Sequence, residues 1–172
     1  MENKSCVTCG KTKSLLECGC CHADVCKSCA QFLNEGTFSL MKEVPAELQH
    51  TIYCYSCYLQ NVEQPLAKYN ELVEQAKEIM VFNKSQGKET RFIRRNEDWI
   101  EVKDCEDEDQ VIMKLAFHAV EIGCNAVIDL DITAQKVRLG SYQTQLFKGT
   151  GRPAKIKEGQ LVKDRSLWHQ PN

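Results

Sequence analysis

Long apolar runs are missing from this chain of 172 residues. No segment approaches the ~18 to 20 apolar residues of a membrane-spanning helix, and Met1–Ser5 lack the apolar core of a secretory signal. An excess of one charge is missing too, because 22 lysines and arginines face 24 aspartates and glutamates, for a net charge of −2. Such a balance provides no global field for nucleic acid or an anionic membrane, so any such contact must be local. We expect a soluble, cytoplasmic protein without a membrane span.

Catalytic motifs are missing as well. The sequence contains no nucleophile elbow, no phosphate-cradling glycine loop and no metal motif with an open coordination position. The four histidines, at positions 22, 50, 118 and 169, are scattered, and none has a partner nearby in sequence that suggests general-base work. We therefore do not expect an enzyme, and no catalytic residue is predicted.

Cysteine, by contrast, is abundant. Nine of the 11 cysteines fall between Cys6 and Cys57, and eight of them form four C-x2-C pairs. An odd total, paired spacing and the missing export signal favour reduced thiolates that bind metal over disulfides. Eight ligands make two closed four-ligand sites, so we expect two structural Zn²⁺ ions per chain, although thiolate sites also suit iron. The predicted ligands are Cys6, Cys9, Cys18, Cys21, Cys26, Cys29, Cys54 and Cys57.

The segment from Cys18 to Cys29 has the C-x2-C-x4-C-x2-C rhythm of a known class of zinc finger. It resembles FYVE-type fingers, which have a treble-clef, cross-brace fold. The resemblance implies interleaved pairs. Cys6, Cys9, Cys26 and Cys29 would then hold one ion, and Cys18, Cys21, Cys54 and Cys57 the other.

Phosphoinositide binding is not expected despite this resemblance. FYVE domains that bind the lipid carry a run rich in histidine and arginine around the third cysteine. Here that run is Ser14–Gly19, with two leucines and one glutamate. These residues cannot make the bidentate phosphate contacts of arginine.

A RING-like finger is the rival interpretation. The spacing Cys18-x3-His22-x3-Cys26 would let His22 replace Cys21 as a ligand. Since a complete set of cysteines is available, we favour a surface or supporting role for His22. Cys20 is spare in either scheme, and a small residue in a turn is favoured over a redox role or an alternative ligand.

Four segments follow from these patterns: a double-zinc domain at 1–62, a connecting amphipathic helix at 63–80, a C-terminal α/β domain at 81–158 and a tail at 159–172. Apolar residues from Leu59 to Met80 recur at steps of three and four, which indicates a helix. Pro65 suggests a short helix behind the last cysteine pair and a longer one that starts near this proline. The apolar seam either docks on the chain's own sheet, which we favour, or pairs with a second copy.

The C-terminal segment reads as a helix packed on a small sheet, so the whole chain is assigned to the α+β class. Two short runs, Arg91–Arg94 and Trp99–Val102, predict a hairpin around a turn at Asn96–Asp98. Acidic residues precede a helical pattern that begins at Val111 and ends before Gly123. Strands are predicted at 124–132 and from Tyr142 to Phe147.

The stretch from Ala119 through Gly123–Asp131 to Gly149–Thr150 resembles the YbjQ-like family, whose members are described as heavy-metal-binding proteins. The resemblance implies a small α/β fold that commonly forms ring-like homo-oligomers and has no established chemistry. The glycine-rich first half of that family is missing here. Asp129 and Asp131 are interpreted as the solvated face of a strand rather than a metal site, and Cys105 and Cys124 as packing thiols.

These observations favour an interaction or scaffold protein in which an oligomerising domain presents a two-zinc finger to a protein partner. Nucleic-acid binding is the alternative, through a basic stretch around Phe92. A RING-like ubiquitin-ligase module and a metal sensor are further alternatives. The basic stretch consists of Lys84, Lys88, Arg91, Arg94 and Arg95.

Overall fold

The computed structural model of the chain describes residues 5–12, 15–140, 142–157 and 160–161. The chain divides into two compact units, Met1–Glu71 and Leu72–Asn172. Helices and sheets occur together, as the α+β assignment predicted. The predicted tail at 159–172 lies outside the described residues except for Gln160 and Leu161.

Two small antiparallel sheets build the first unit. β1 (Leu15–Glu17) pairs with β2 (Asp24–Cys26), and β3 (Gln31–Phe32) pairs with β4 (Ile52–Tyr53). The core cluster between them consists of cysteines with few other apolar side chains, Val25 being the most deeply buried of these. So small an apolar core needs additional links between its loops, and metal ions supply such links in small domains.

Helical backbone continues from α1 (Tyr55–Cys57) through a π-helical turn at Tyr58–Val62 into α2 (Glu63–Lys77). A longer helix starting near Pro65 was predicted, and α2 begins two residues before this proline. The predicted break before it is a π-helical turn instead. Pro65 has no N–H to donate, and the wider turn immediately before it accommodates the missing bond without ending the helix.

The apolar seam of α2 docks on its own chain at Tyr69. The rings of Tyr69 and Phe38 meet edge to face, with centroids 5.1 Å apart. The Leu40 N–H donates a hydrogen bond to the Tyr69 hydroxyl at 3.4 Å. This part of the seam therefore packs within the chain, but against the turn segment at 35–40 and not against a sheet as the favoured interpretation expected.

The second unit is built on a four-stranded sheet with the strand order β5-β7-β8-β6. Its strands are β5 (Met80–Asn83), β6 (Ile100–Cys105), β7 (Ala126–Leu139) and β8 (Tyr142–Ala154). β5 runs parallel to β7, and the other pairs are antiparallel. β5 was missed because its first residue, Met80, continues the helical spacing of the connector.

α3 (Glu108–Glu121) packs on one face of this sheet, and its prediction is confirmed. The Asp107 side chain caps its N-terminus by accepting a hydrogen bond from the Gln110 N–H at 2.7 Å. Gly123, with φ of 74°, follows its last turn and donates its N–H to the Val120 carbonyl. α3 approaches β8 so closely that a Cβ on Gly149 would collide with Val111.

The predicted hairpin of Arg91–Arg94 with Trp99–Val102 is wrong. Arg91 and Phe92 lie in a turn, Ile93 and Arg94 lie outside any strand, and β6 pairs with β8 instead. Ile93 is buried in a second core cluster with Ala126 and Ile128, on strand β7. A four-residue alternation could not distinguish a strand from a segment that inserts one apolar side chain against a sheet.

A bulge interrupts β7 at Asp129, where φ is 56°. Two residues of β7 face one residue of β8 at this point, which reverses the alternation of its side chains. As a result Val127 and Leu130 both belong to the cluster beneath α3.

Candidate metal centre

Eight cysteines of the first unit form two groups of four. Within each group the sulfur atoms all lie within 4.8 Å of one another. Each group takes alternate pairs along the chain, which is the interleaved arrangement that the resemblance to FYVE-type fingers implied. One group is Cys6, Cys9, Cys26 and Cys29, and the other is Cys18, Cys21, Cys54 and Cys57.

The sulfur separations suit a tetrahedral ion. A Zn–S bond of about 2.3 Å in a tetrahedral site places neighbouring sulfurs about 3.8 Å apart. Cys9 Sγ and Cys26 Sγ are 3.6 Å apart, and Cys21 Sγ and Cys54 Sγ are 3.8 Å apart. The residues present therefore fit two zinc-binding sites, one in each group.

Two matching turns position the first pair of each group. The residue after the second cysteine has a left-handed backbone in both turns, with φ of 72° at Gly10 and 58° at His22. Its N–H donates to the carbonyl of the first cysteine, from Gly10 to Cys6 at 2.8 Å and from His22 to Cys18 at 2.9 Å. Each turn thus directs two sulfurs to the same point.

Two serines that the sequence interpretation missed support the second pair of each group. The Ser28 hydroxyl lies 3.2 Å from Cys26 Sγ, and the Ser56 hydroxyl lies 3.3 Å from Cys54 Sγ. Both serines stand in a C-x-S-C sequence, at 26–29 and at 54–57. The repeated C-x-S-C sequence could have indicated the role of these serines, because a hydroxyl in this position donates a hydrogen bond to a thiolate.

The electrostatics of the first group favour a cation. A hydrogen bond from the Cys26 backbone lowers the pKa of the Cys6 thiol to about 6. The Cys26 and Cys9 sulfurs raise the pKa of the Cys29 thiol to about 12. The group thus readily holds some negative charge but resists full ionisation until a positive ion offsets the repulsion between thiolates.

In the second group, too, one thiol has a lowered pKa and another has a raised pKa. Burial acts to raise the pKa of Cys54, but hydrogen bonds, with that of Ser56 the largest, outweigh it and lower this pKa to about 6. Burial and the neighbouring Cys54 sulfur raise the pKa of Cys57. A divalent ion that binds here would displace protons from the thiols with raised pKa values.

The ligand position contested between Cys21 and His22 is occupied by Cys21. The exposed His22 ring instead pairs with Glu17, with Nδ1 and Oε1 2.7 Å apart. His22 lies in neither group, so the geometry favours Cys21 over His22 as the ligand. Cys20 lies outside both groups, and its thiol points to the Glu47 carbonyl oxygen at 3.6 Å.

Cys105 and Cys124 lie in the core beneath α3, and burial raises the pKa of both thiols. They belong to neither cysteine group. Their position agrees with the predicted role as packing thiols.

The predicted basic stretch is partly neutralised by carboxylates of β7. Arg95 makes a two-pronged ion pair with Asp129, from Nε to Oδ2 at 2.8 Å and from Nη2 to Oδ1 at 3.1 Å. This pair raises the pKa of Arg95. Lys84 Nζ lies 3.7 Å from Asp131 Oδ2. The two aspartates interpreted as a solvated face thus each face a basic side chain.

A cleft of about 630 Å³ opens in the first unit. The described residues of its lining include the carboxylates Glu17 and Glu35, and none of them is a lysine or arginine. Gly19 forms part of the wall, and a Cβ there would collide with the His50 ring. Uncharged polar residues and five apolar side chains also line it, the apolar ones being Leu33, Phe38, Val44, Leu48 and Ile52.

Comparison with known proteins adds no relative. No family model, no curated protein and no solved structure matches the chain. Among the described helices, none is both long enough and apolar enough to span a bilayer. The fold and the site define a mixed α and β protein with two candidate zinc sites, each made of four cysteines.

Proposed function

We propose that this protein is a zinc-stabilised interaction scaffold whose first unit binds a protein partner. The observation that supports this function is the closure of both candidate sites by four sulfurs each. A tetrahedral ion with four protein ligands has no position left for water or substrate. The metal therefore holds loops in place and performs no chemistry, and the activity of the unit is binding.

The cleft offers the partner a concave surface of mixed character. Glu35 and Glu17, the latter paired with His22, give the cleft acidic character that favours a segment with cationic side chains. Its apolar side chains provide area for desolvation at the centre of such a contact. We therefore assign the partner as a protein segment with lysine or arginine close to an apolar residue.

We further propose that the chain forms an oligomer, which presents several copies of the first unit to a partner at once. The resemblances to FYVE-type fingers and to the YbjQ-like family support a treble-clef finger joined to a ring-forming domain. Several weak sites on one ring would bind a multivalent partner far more tightly than a single site does.

A peptide selection tests the binding function. The full chain, loaded with zinc, is screened against a random peptide library beside the variants Glu35→Lys and Glu43→Lys. Glu35 lines the cleft, whereas Glu43 is exposed outside it and makes the same charge change. We expect basic and apolar sequences to be enriched by the wild type and by Glu43→Lys but not by Glu35→Lys. Equal enrichment by all three proteins would reject the cleft as the site.

Native mass spectrometry tests the scaffold, because one spectrum counts metal ions and subunits together. We expect two zinc ions per chain in a single defined oligomer. A monomer with two zinc ions would remove the multivalent mechanism and leave a monovalent binding finger.

A further inference from the structure

The hairpin formed by β7 and β8 extends beyond the rest of its sheet. β5 pairs with β7 only as far as Leu130, and β6 pairs with β8 only as far as Phe147. The pairing of β7 with β8 continues from there to Leu139 and Tyr142. We call residues 133–146 the arm. Its seven residues on β7 give it a length of about 20 Å.

The arm has no core of its own. Within the described residues, none of its side chains is buried and its strands pair only with each other. An isolated two-stranded ribbon gains little stability from itself. Such a projection is therefore suited to contact with another molecule.

One face of the arm, here called the donor face, carries two cations and two glutamine side chains at its centre. Lys136 pairs with Gln145, and Arg138 pairs with Gln143. Residues directly opposite in a pair share a face, as do residues two apart along a strand. All four side chains are exposed.

The charge around the arm has one sign. The sequence from Ile132 to Lys157 contains lysines and arginines but no aspartate or glutamate. Within the described part of the chain, neither Lys136 nor Arg138 has a carboxylate partner, in contrast to Arg95. The two cations of the arm are therefore available to an anionic ligand.

We propose that the arm binds double-stranded DNA. A two-stranded ribbon fits the major groove of B-form DNA, which is about 12 Å wide. Lysine and arginine neutralise phosphates, and arginine and glutamine are side chains that hydrogen-bond base edges in that groove. The deep, narrow major groove of double-stranded RNA excludes such a ribbon. This site is separate from the cleft and does not depend on the proposed protein partner.

Fluorescence anisotropy with the full, zinc-loaded chain tests the assignment. The probe is a labelled 20-base-pair DNA duplex, titrated at several salt concentrations between 50 and 200 mM. The test variant is K136Q/R138Q, which neutralises the cations of the donor face. The control is K42Q/K68Q, which removes the same charge at two exposed lysines outside the arm.

We expect wild type and control to bind with a steep salt dependence. K136Q/R138Q should lose about tenfold or more in affinity at 50 mM salt, and its log–log salt slope should fall by about 2 units for two lost phosphate contacts. Circular dichroism and the zinc count should match the wild type. An equal loss in both variants, or no duplex binding by the wild type, would overturn the proposal.

Competition binding and native mass measurements distinguish DNA from other possible ligands of the arm. Preference for double-stranded RNA, or for vesicles with anionic lipid over the DNA duplex, would reject DNA as the ligand. A change in the native mass of K136Q/R138Q without any DNA would identify the arm as a contact between copies of this chain, which also overturns the proposal.

Discussion

At the scale of single residues, each of the two cysteine groups has a serine hydroxyl beside one of its sulfurs. Ser28 and Ser56 occupy equivalent places in two separate C-x-S-C turns. Their hydroxyls stabilise the thiolate form of the adjacent cysteine. The equivalence indicates that both metal groups are supported by the same local device.

Removal of either hydroxyl should weaken zinc binding. We expect Ser28→Ala and Ser56→Ala each to lower zinc affinity by about 10-fold to 100-fold, the range found for lost supporting hydrogen bonds at metal sites. Competition with a chromophoric chelator measures the change. Ser85→Ala, at an exposed serine of the second unit, is the matched control. Identical zinc retention in all three variants would show that these hydroxyls contribute nothing.

A substitution at His22 distinguishes a role of its backbone in the turn from a role of its ring as a metal ligand. His22 adopts a left-handed backbone that glycine adopts at the equivalent position in the other turn, Gly10. We expect His22→Gly to keep two zinc ions, since the ring pairs with Glu17 and not with a ligand sulfur. Cys21→Ser should keep one tightly bound ion. Native mass spectrometry counts them, and loss of an ion from His22→Gly would restore the RING-like assignment.

At the scale of elements, α3 and β8 are packed too closely for any side chain at Gly149. We expect Gly149→Ala to lower the free energy of unfolding of the second unit by about 1 to 3 kcal/mol, as other overpacked cores do. Gly87→Ala is the control, because a Cβ there meets only the Lys84 carbonyl oxygen at 3.6 Å. Urea unfolding of both variants measures the difference, and equal stability would contradict the close approach.

The elements also show where patterns in sequence suffice. α3 carried its apolar spacing, its acidic first turn and its terminal glycine in the sequence, and the structure reproduces it. β5 and the segment at Arg91–Arg94 were misread because each is too short for a period of 2 to be told from one of 3.6. Tertiary contacts decided their secondary structure, because β5 pairs with β7 and Ile93 packs against Ala126 and Ile128 of β7.

At the scale of the whole molecule, the two units differ in what stabilises them. The cluster between the loops of the first unit contains cysteines with few other apolar side chains, whereas the second unit has an apolar core under α3. Metal binding is folding free energy for a unit of the first kind.

Removal of zinc should therefore unfold the first unit alone. We expect a strong chelator to abolish hydrogen-exchange protection in residues 15–57 while protection in α3 and β7 persists. Return of zinc should restore the first unit. Hydrogen exchange with mass spectrometry resolves both regions in one experiment, and retained protection of 15–57 without metal would show that zinc is dispensable for this fold.

The sequence by itself identified the eight cysteines of the two groups and the acidic start and terminal glycine of α3, because these depend on spacings of a few residues that a local turn or helix satisfies. Tertiary structure decided three other features: the grouping of the cysteine pairs, the burial of Ile93 on the second face of the sheet, and the bulge at Asp129 that faces Arg95. The physical reason is common to all three. Each rests on contacts between residues far apart in sequence, and such contacts exist only after the loops and strands have been brought together.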